Sequence, residues 1–171
     1  MNELKLPLVR CLQELNFSFN DFLTNQSDRI VFQKYGLFLE EIFGVGTGDY
    51  SLYIYGPYNP SLARVGYEIA ADFREYDREA RIAIRLSENA IRILREIREI
   101  FSNNNVADRD LLEIYATYFY LVRRKGYIEG SEQVIEKLEL IKGKMPRYQE
   151  IIPRIVPIHQ QISRYLSTPA N

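Results

Sequence analysis

The sequence predicts a mainly α-helical fold: a single helical domain of about six helices that carries a small two-stranded β element. Three observations lead there. Apolar residues recur at three- and four-residue spacing through most of the chain, as in helices with a buried face. Ser, Asp or Asn precedes most of these runs and Gly closes several, the chemistry of helix starts and stops. Strict apolar/polar alternation is clearest in one short segment, near Tyr50.

At 171 residues with 46% hydrophobic side chains, the chain suits one domain over 1–171, burying about two-thirds of its unfolded surface. An N-terminal helical extension (1–23) precedes a core (27–165). Leu8, Leu12 and Leu15 place a short helix near Leu6–Leu15, with Pro7 tolerated in its first turn. Ser27 or Asp28 is positioned to cap the next helix. Its apolar residues, from Ile30 and Val31 through Leu37, Phe38 and Ile42, are widened by Phe32, Tyr35, Leu39 and Phe43, so it belongs buried on more than one side. Gly44, Gly46 and Gly48 end it. The run GVGTGD has a phosphate loop's composition, but it follows a helix instead of joining a strand to one, and no lysine succeeds it. Both facts argue against nucleotide binding.

Tyr50, Leu52 and Ile54 alternate with Ser51, Tyr53 and Tyr55 as a strand. Gly56 and Pro57 then make a stiff turn, and Asn59-Pro60 supplies a cap and a pre-set first helical residue. Leu62, Val65, Ile69 and Phe73 carry that helix to about Tyr76. Residues 77–86 alternate through Ile82, Ile84 and Leu86 and read as an edge strand pairing with 50–55, although their arginines also fit a continuing helix. Ser87 caps a helix from Glu88 to Phe101, on which Glu88–Arg92, Arg92–Glu96 and Arg95–Glu99 have ion-pair spacing. Residues 102–105 read as a plain loop. Asp108 caps LLEIYATYFYLVRR, apolar nearly all round and expected at the core's centre beside the helix from Ser27. Ser131 opens another helix. A last one, near 148–165, is expected to bend or restart at Pro153 and Pro157, and STPAN reads as a frayed tail.

The functional chemistry is sparse. Cys11 is the one cysteine and His159 the one histidine, so an in-chain disulfide and a cysteine-rich zinc site are excluded. Nothing in sequence links His159 to a nucleophile, and it reads as a surface or core-edge residue. Glu40 and Glu41 are adjacent and point apart, which makes a poor acid–base pair. An enzyme built from dispersed carboxylates is a minor alternative, and no cofactor is expected. The N-terminus is too charged for a signal peptide and no apolar run is long enough to span a membrane, which fits a cytoplasmic, non-membrane protein. A formal charge of −1 argues against a protein basic over its whole surface. Sixteen of the 22 bases are arginine, and a local DNA face is an alternative, formed by Arg78, Arg81, Arg85, Arg92 and Arg95 with the cluster Arg123, Arg124 and Lys125. Between Arg64 and Glu99, however, eight arginines face eight acids.

The run DRIVFQKYGLFLEEIFG followed by YSLYIYGPYNPSL resembles the small YwgA-like proteins and, more distantly, the Panacea (SocA-like antitoxin) domain. The resemblance rests on Phe32-Gln33-Lys34, on the turn Tyr55-Gly56-Pro57-Tyr58-Asn59-Pro60, on Glu113 and Ala116 in the later helix, and on Lys144-Met145-Pro146-Arg147-Tyr148. Tyr35-Gly36 after the lysine and the arginine-rich stretch at 74–98 depart from the pattern. The resemblance implies a winged-helix-like domain without known catalysis, an antitoxin or adaptor of a microbial, viral or mobile-element system that binds a protein partner: a toxin, a protease adaptor target or a host factor. The expected binding surface is a tyrosine-lined groove at the turn, with Tyr50, Tyr53, Tyr55 and Tyr58, next to Lys34, whose ammonium is expected near the turn carbonyls. Self-association as a homodimer suits the high aromatic content.

Overall fold

The computed structural model describes residues 2–166; residues 167–171, the expected tail, lie outside the described residues. In chain order the elements are α1 (Asn2–Glu14), α2 (Gln26–Phe43), β1 (Ser51–Tyr53), β2 (Gly56–Tyr58), α3 (Pro60–Ala71), α4 (Phe73–Ala83), α5 (Glu88–Phe101), β3 (Ser102–Asn103), β4 (Val106–Ala107), α6 (Arg109–Lys125), α7 (Glu132–Lys142) and α8 (Tyr148–Leu166). The fold is mainly helical, with eight helices among the described residues where about six are expected.

The two helices with almost no polar side, α2 and α6, pack on each other at the centre. Ten consecutive residues of α2, Ile30 to Leu39, are buried, as are eleven of α6, Leu111 to Leu121. Phe38 of α2 meets Phe119 and Tyr115 of α6 at 5.4 and 5.5 Å and stacks on Phe101 of α5 at 5.4 Å. One continuous cluster of buried apolar side chains extends from this pair to every other helix. The segment NFSFNDF adds Phe17, Phe19 and Phe22, which close on Phe32.

Local signals set most helix ends. Ser87, Asp108 and Ser131 each accept a backbone N–H three residues on, and Gly44 and Gly126 stop α2 and α6 in the left-handed conformation that glycine adopts freely. The cap of α2 differs from expectation. Asn25 takes the Asp28 amide, while the Ser27 hydroxyl accepts from the Arg109 side chain at 3.1 Å.

Three expectations are corrected. Residues 77–83 are helical, because α3 breaks at Asp72 and the chain restarts at once as α4. Asp77 holds Arg81 one turn on and takes the Gln13 side chain from α1, and Ala80 is fully buried, contacts a strand would lose. The 50–55 strand consequently has no partner there. It folds back on itself, Ser51 facing Tyr58 and Tyr53 facing Gly56 across the two-residue turn Ile54–Tyr55. Residues 102–107 form a second hairpin, since Asn104 and Asn105 both take positive φ, the requirement of a tight two-residue turn. Helix α8 runs unbroken through Pro153 and Pro157. Both prolines face solvent, on the outer side of the helix. None of the described helices is long and apolar enough to cross a membrane.

Candidate functional site

Neighbouring residues of α2 read the backbone of the β1–β2 hairpin and the turn after it. The Gln33 carboxamide pairs with the main chain of Asn59 in both senses, Nε2 donating to its carbonyl at 3.1 Å and Oε1 accepting its N–H at 2.9 Å. Lys34 Nζ donates to the Pro57 carbonyl at 2.9 Å. The Asn59 side chain is fully buried, and its Oδ1 caps α3 by accepting from Ser61 and Leu62 at 2.9 and 3.1 Å. Its Nδ2 donates to Thr47 Oγ1 at 2.6 Å and to the Gly48 carbonyl. One side chain therefore ties the α2–β1 loop to the start of α3. Asn59→Ala is expected to cost about 2–4 kcal/mol, the sum of a lost helix cap and stranded buried donors. Urea unfolding measures it, and a loss below about 1 kcal/mol contradicts the role.

Behind the hairpin lies a charged cluster in which Lys34, Glu113 and Lys142 are buried and Arg109 is half-buried. Lys142 of α7 sends its ammonium to the Ile54 carbonyl at 2.9 Å and to Glu113 Oε1 at 2.7 Å. Arg109 Nε stands 3.9 Å from Glu113 Oε2, and its guanidinium carbon lies 5.4 Å from the centre of the Tyr55 ring. Three cations, Lys34, Lys142 and Arg109, thus share one carboxylate. Lys34 is 2% exposed, and its pKa falls to about 7. Burial is the main cause; Glu113 opposes the drop, while Lys142 and Arg109 add to it. Gly56, at φ +93, admits no side chain, because a Cβ there would stand 2.9 Å from Thr117 Oγ1 and 3.4 Å from Lys34 Nζ.

On its other side the hairpin walls a cleft of about 170 Å³, closed by α2 and α3. Lys34, Tyr53, Tyr55 and Tyr58 all line it, joined by Arg29 and Tyr67, which sequence reasoning missed. Tyr53 and Tyr58 meet edge to face at 5.1 Å. Its exposed rings are Tyr53, 55% exposed, and Tyr67, 47% exposed. Tyr50, expected in this groove, is instead buried, its carbonyl accepting from the Tyr120 hydroxyl at 3.3 Å. Its side chain packs under the strand, so it belongs to the core.

The remaining candidates are occupied by their own neighbours. The glycine loop does enclose an anion, but it is Glu40: the Gly48 amide donates to Oε1, and a Cβ on Gly46 would collide with the same side chain. Glu40 and Glu41 act together here, since Arg124 bonds both and Arg123 bonds Glu41 at 3.1 Å. Arg81 pairs with Asp77, Arg92 with Glu96, and Arg95 with Glu14 of α1 instead of Glu99. Arg78 lies beside Glu75, and Arg85 is exposed on the segment after α4. The arginines therefore carry acids with them across several elements.

His159 is buried, not at the surface. Its Nδ1 lies 3.0 Å from the Tyr115 hydroxyl and its Nε2 3.0 Å from Glu129 Oε2. A neutral ring satisfies both, with Nε2–H donating to the carboxylate and Nδ1 accepting from the phenol. Burial, the main cause, holds its pKa below the usual value against the pull of Glu129. Cys11 is buried, and burial pushes its thiol to about 11, where it stays unreactive. Among the described residues no group of three or more His, Cys, Asp or Glu side chains is placed to hold a metal ion. Comparison with protein-family models, with curated proteins and with solved structures returned no match to this chain.

Proposed function

We propose that this protein is a non-enzymatic interaction module, antitoxin- or adaptor-like, that seats a segment of a protein partner in the cleft beside the β1–β2 hairpin. The observation that carries this is the combination of exposed Tyr53, Tyr55 and Tyr67 lining a formed cleft with a hairpin and following turn whose backbone is held by three buried side chains, Gln33, Lys34 and Lys142. Tyrosines on a backbone that is already ordered lose little entropy on binding, the condition under which aromatic anchors become hot spots. The resemblance of the Gln33-Lys34 and Tyr55–Pro60 segments to YwgA-like and Panacea proteins points the same way, towards a toxin, a protease adaptor target or a host factor as partner.

Crosslinking in native cells followed by mass spectrometry identifies the partner, and its affinity for wild type and Tyr53→Ala/Tyr55→Ala protein is then measured. Both rings are largely outside the core, so the melting temperature is expected to stay within a few degrees of wild type. The affinity is expected to fall by about 100-fold or more, the effect of two aromatic hot spots. Equal affinity of the two proteins overturns the assignment of the cleft.

A further inference from the structure

We infer that the cleft is an acidic-peptide site: Lys34 and Arg29 receive the side-chain carboxylate of an Asp or Glu, flanked by apolar residues, within an extended partner segment. This rests on the cleft being the binding surface and adds what it selects. The charged residues lining the cleft are Arg29 and Lys34, both cationic, and no carboxylate lines it. Lys34 reaches from the cleft lining into the cluster behind it, where with Lys142 and Arg109 it outnumbers Glu113, whose Oε1 is already taken by Lys142. Among the described residues the Lys34 ammonium makes one hydrogen bond, to Pro57, so two of its three N–H groups have no acceptor. An incoming carboxylate supplies the missing counter-charge in a site walled by aromatic rings, where charge-assisted hydrogen bonds are strong.

Size and shape narrow the ligand. At about 170 Å³ the cleft is below the roughly 300–1,000 Å³ of small-molecule and cofactor sites, and it suits one or two residues. Exposed rings line it from two elements, Tyr53 and Tyr55 on the hairpin and Tyr67 on α3. Rings on two elements fit a chain that runs past the cleft in both directions, and hence a side-chain carboxylate instead of a chain terminus.

Protonation of Lys34 couples to such binding. The groups around it are Glu113 and Arg109 of α6, Lys142 of α7, the hairpin tyrosines and Arg29 on its own helix. With its ordinary pKa lowered to about 7, Lys34 is charged in acid and neutral in base, so a carboxylate gains most below pH 7 and draws a proton onto the amine.

The test uses three peptides, acetyl-Leu-Glu-Phe-amide, the isosteric acetyl-Leu-Gln-Phe-amide, and acetyl-Leu-Phe with a free C-terminus. Binding is followed through the backbone amide shifts of Lys34, Gly56 and Tyr67. At pH 6 the Glu peptide is expected to bind at least tenfold more tightly than the Gln peptide, with the gap narrowing towards pH 9. Lys34→Met is expected to shrink the Glu-over-Gln ratio to below twofold, whatever its effect on binding of the Gln peptide; if that variant does not fold, the pH series on wild type decides. Equal affinity of Glu and Gln peptides overturns the carboxylate assignment and leaves the cleft as an apolar binding surface. Tighter binding of the free C-terminus than of the Glu peptide overturns the choice of a side-chain carboxylate. No shift at the cleft with any peptide overturns both the inference and the cleft itself.

Discussion

Replacing Glu113 with glutamine is expected to destabilise the protein by about 3–5 kcal/mol, the cost of breaking a buried ion pair from one side. Glu113 is the carboxylate that balances Lys142 at 2.7 Å and, more distantly, Arg109 at 3.9 Å and Lys34. Glutamine keeps the shape and an acceptor oxygen but leaves buried Lys34 and Lys142, with half-buried Arg109, facing one another without a carboxylate. The opposite substitution is the control. Lys142→Met removes one of the three cations and relieves Lys34, on which Lys142 presses as a like charge. It sacrifices the hydrogen bond to the Ile54 carbonyl and is expected to cost less than Glu113→Gln. The double variant Glu113→Gln/Lys142→Met is expected to be more stable than Glu113→Gln alone, because the ammonium left without its partner is gone. Urea unfolding of the three variants, read at unchanged m-value, measures this. A Glu113→Gln loss within about 1 kcal/mol of wild type, or a double variant less stable than both singles, removes the cluster's role as the hairpin's anchor.

What could be read in the sequence follows from how local each signal is. The burial of α2 and α6 against each other was legible because helical spacing and the near-absence of polar residues lie within each segment. The caps Ser87, Asp108 and Ser131 were legible for the same reason, and so was the glycine stop at Gly44. Residues 77–83 were misread because alternation of Ile82 and Ile84 with small or charged neighbours satisfies both periods, and the deciding contacts, Gln13 with Asp77 and the burial of Ala80, come from α1 far away in the chain. Of the site, the sequence disclosed Lys34 and the tyrosines of the turn. It did not disclose Glu113, Lys142 and Arg29 as their companions, since these arrive from α6, α7 and the start of α2. One cue was present: Glu113, the one carboxylate in the apolar run 111–122, needs a buried counter-charge. Tyr50 was misplaced because alternation along a strand identifies two faces without saying which one meets the core. Arg95 found Glu14 instead of Glu99 because an ion partner on α1 was within reach, a choice that spacing along one helix cannot register.

Stability is expected to rise with pH across neutrality and to peak between about pH 8 and 10, above the range of roughly 5 to 8 where most proteins are most stable. Lys34 is the cause. Its pKa is about 7 in the fold, against an ordinary value of 10.5, chiefly because burial penalises its charge. Between those two values the unfolded chain binds the proton that the folded chain has released, so raising the pH favours the fold. The full rise is on the order of 3–5 kcal/mol for a shift of this size. His159 acts in the same sense at lower pH: its pKa is lowered by burial, so stability declines as pH falls below about 6.5, where the unfolded ring takes up a proton. Asp108 adds an acid limb. Burial pushes its carboxyl up, but hydrogen bonds from Arg147 and the Leu111 amide outweigh this and leave it below the usual range, so its contribution is lost under more acid conditions. The alkaline limb comes from tyrosines. Burial lifts Tyr35 to about 12, and burial together with Glu96 lifts Tyr165 to about 12. These groups stay neutral in the fold after the unfolded chain begins to ionise near pH 10, and stability then falls. Urea midpoints at pH steps from 5 to 11 trace the profile, and Lys34→Met is expected to flatten the rise between pH 7 and 10 while leaving both outer limbs in place. A wild-type profile that is flat or falling between pH 7 and 9.5 shows that the Lys34 ammonium keeps its proton inside the fold, and a permanent buried charge must then be matched by Glu113 alone.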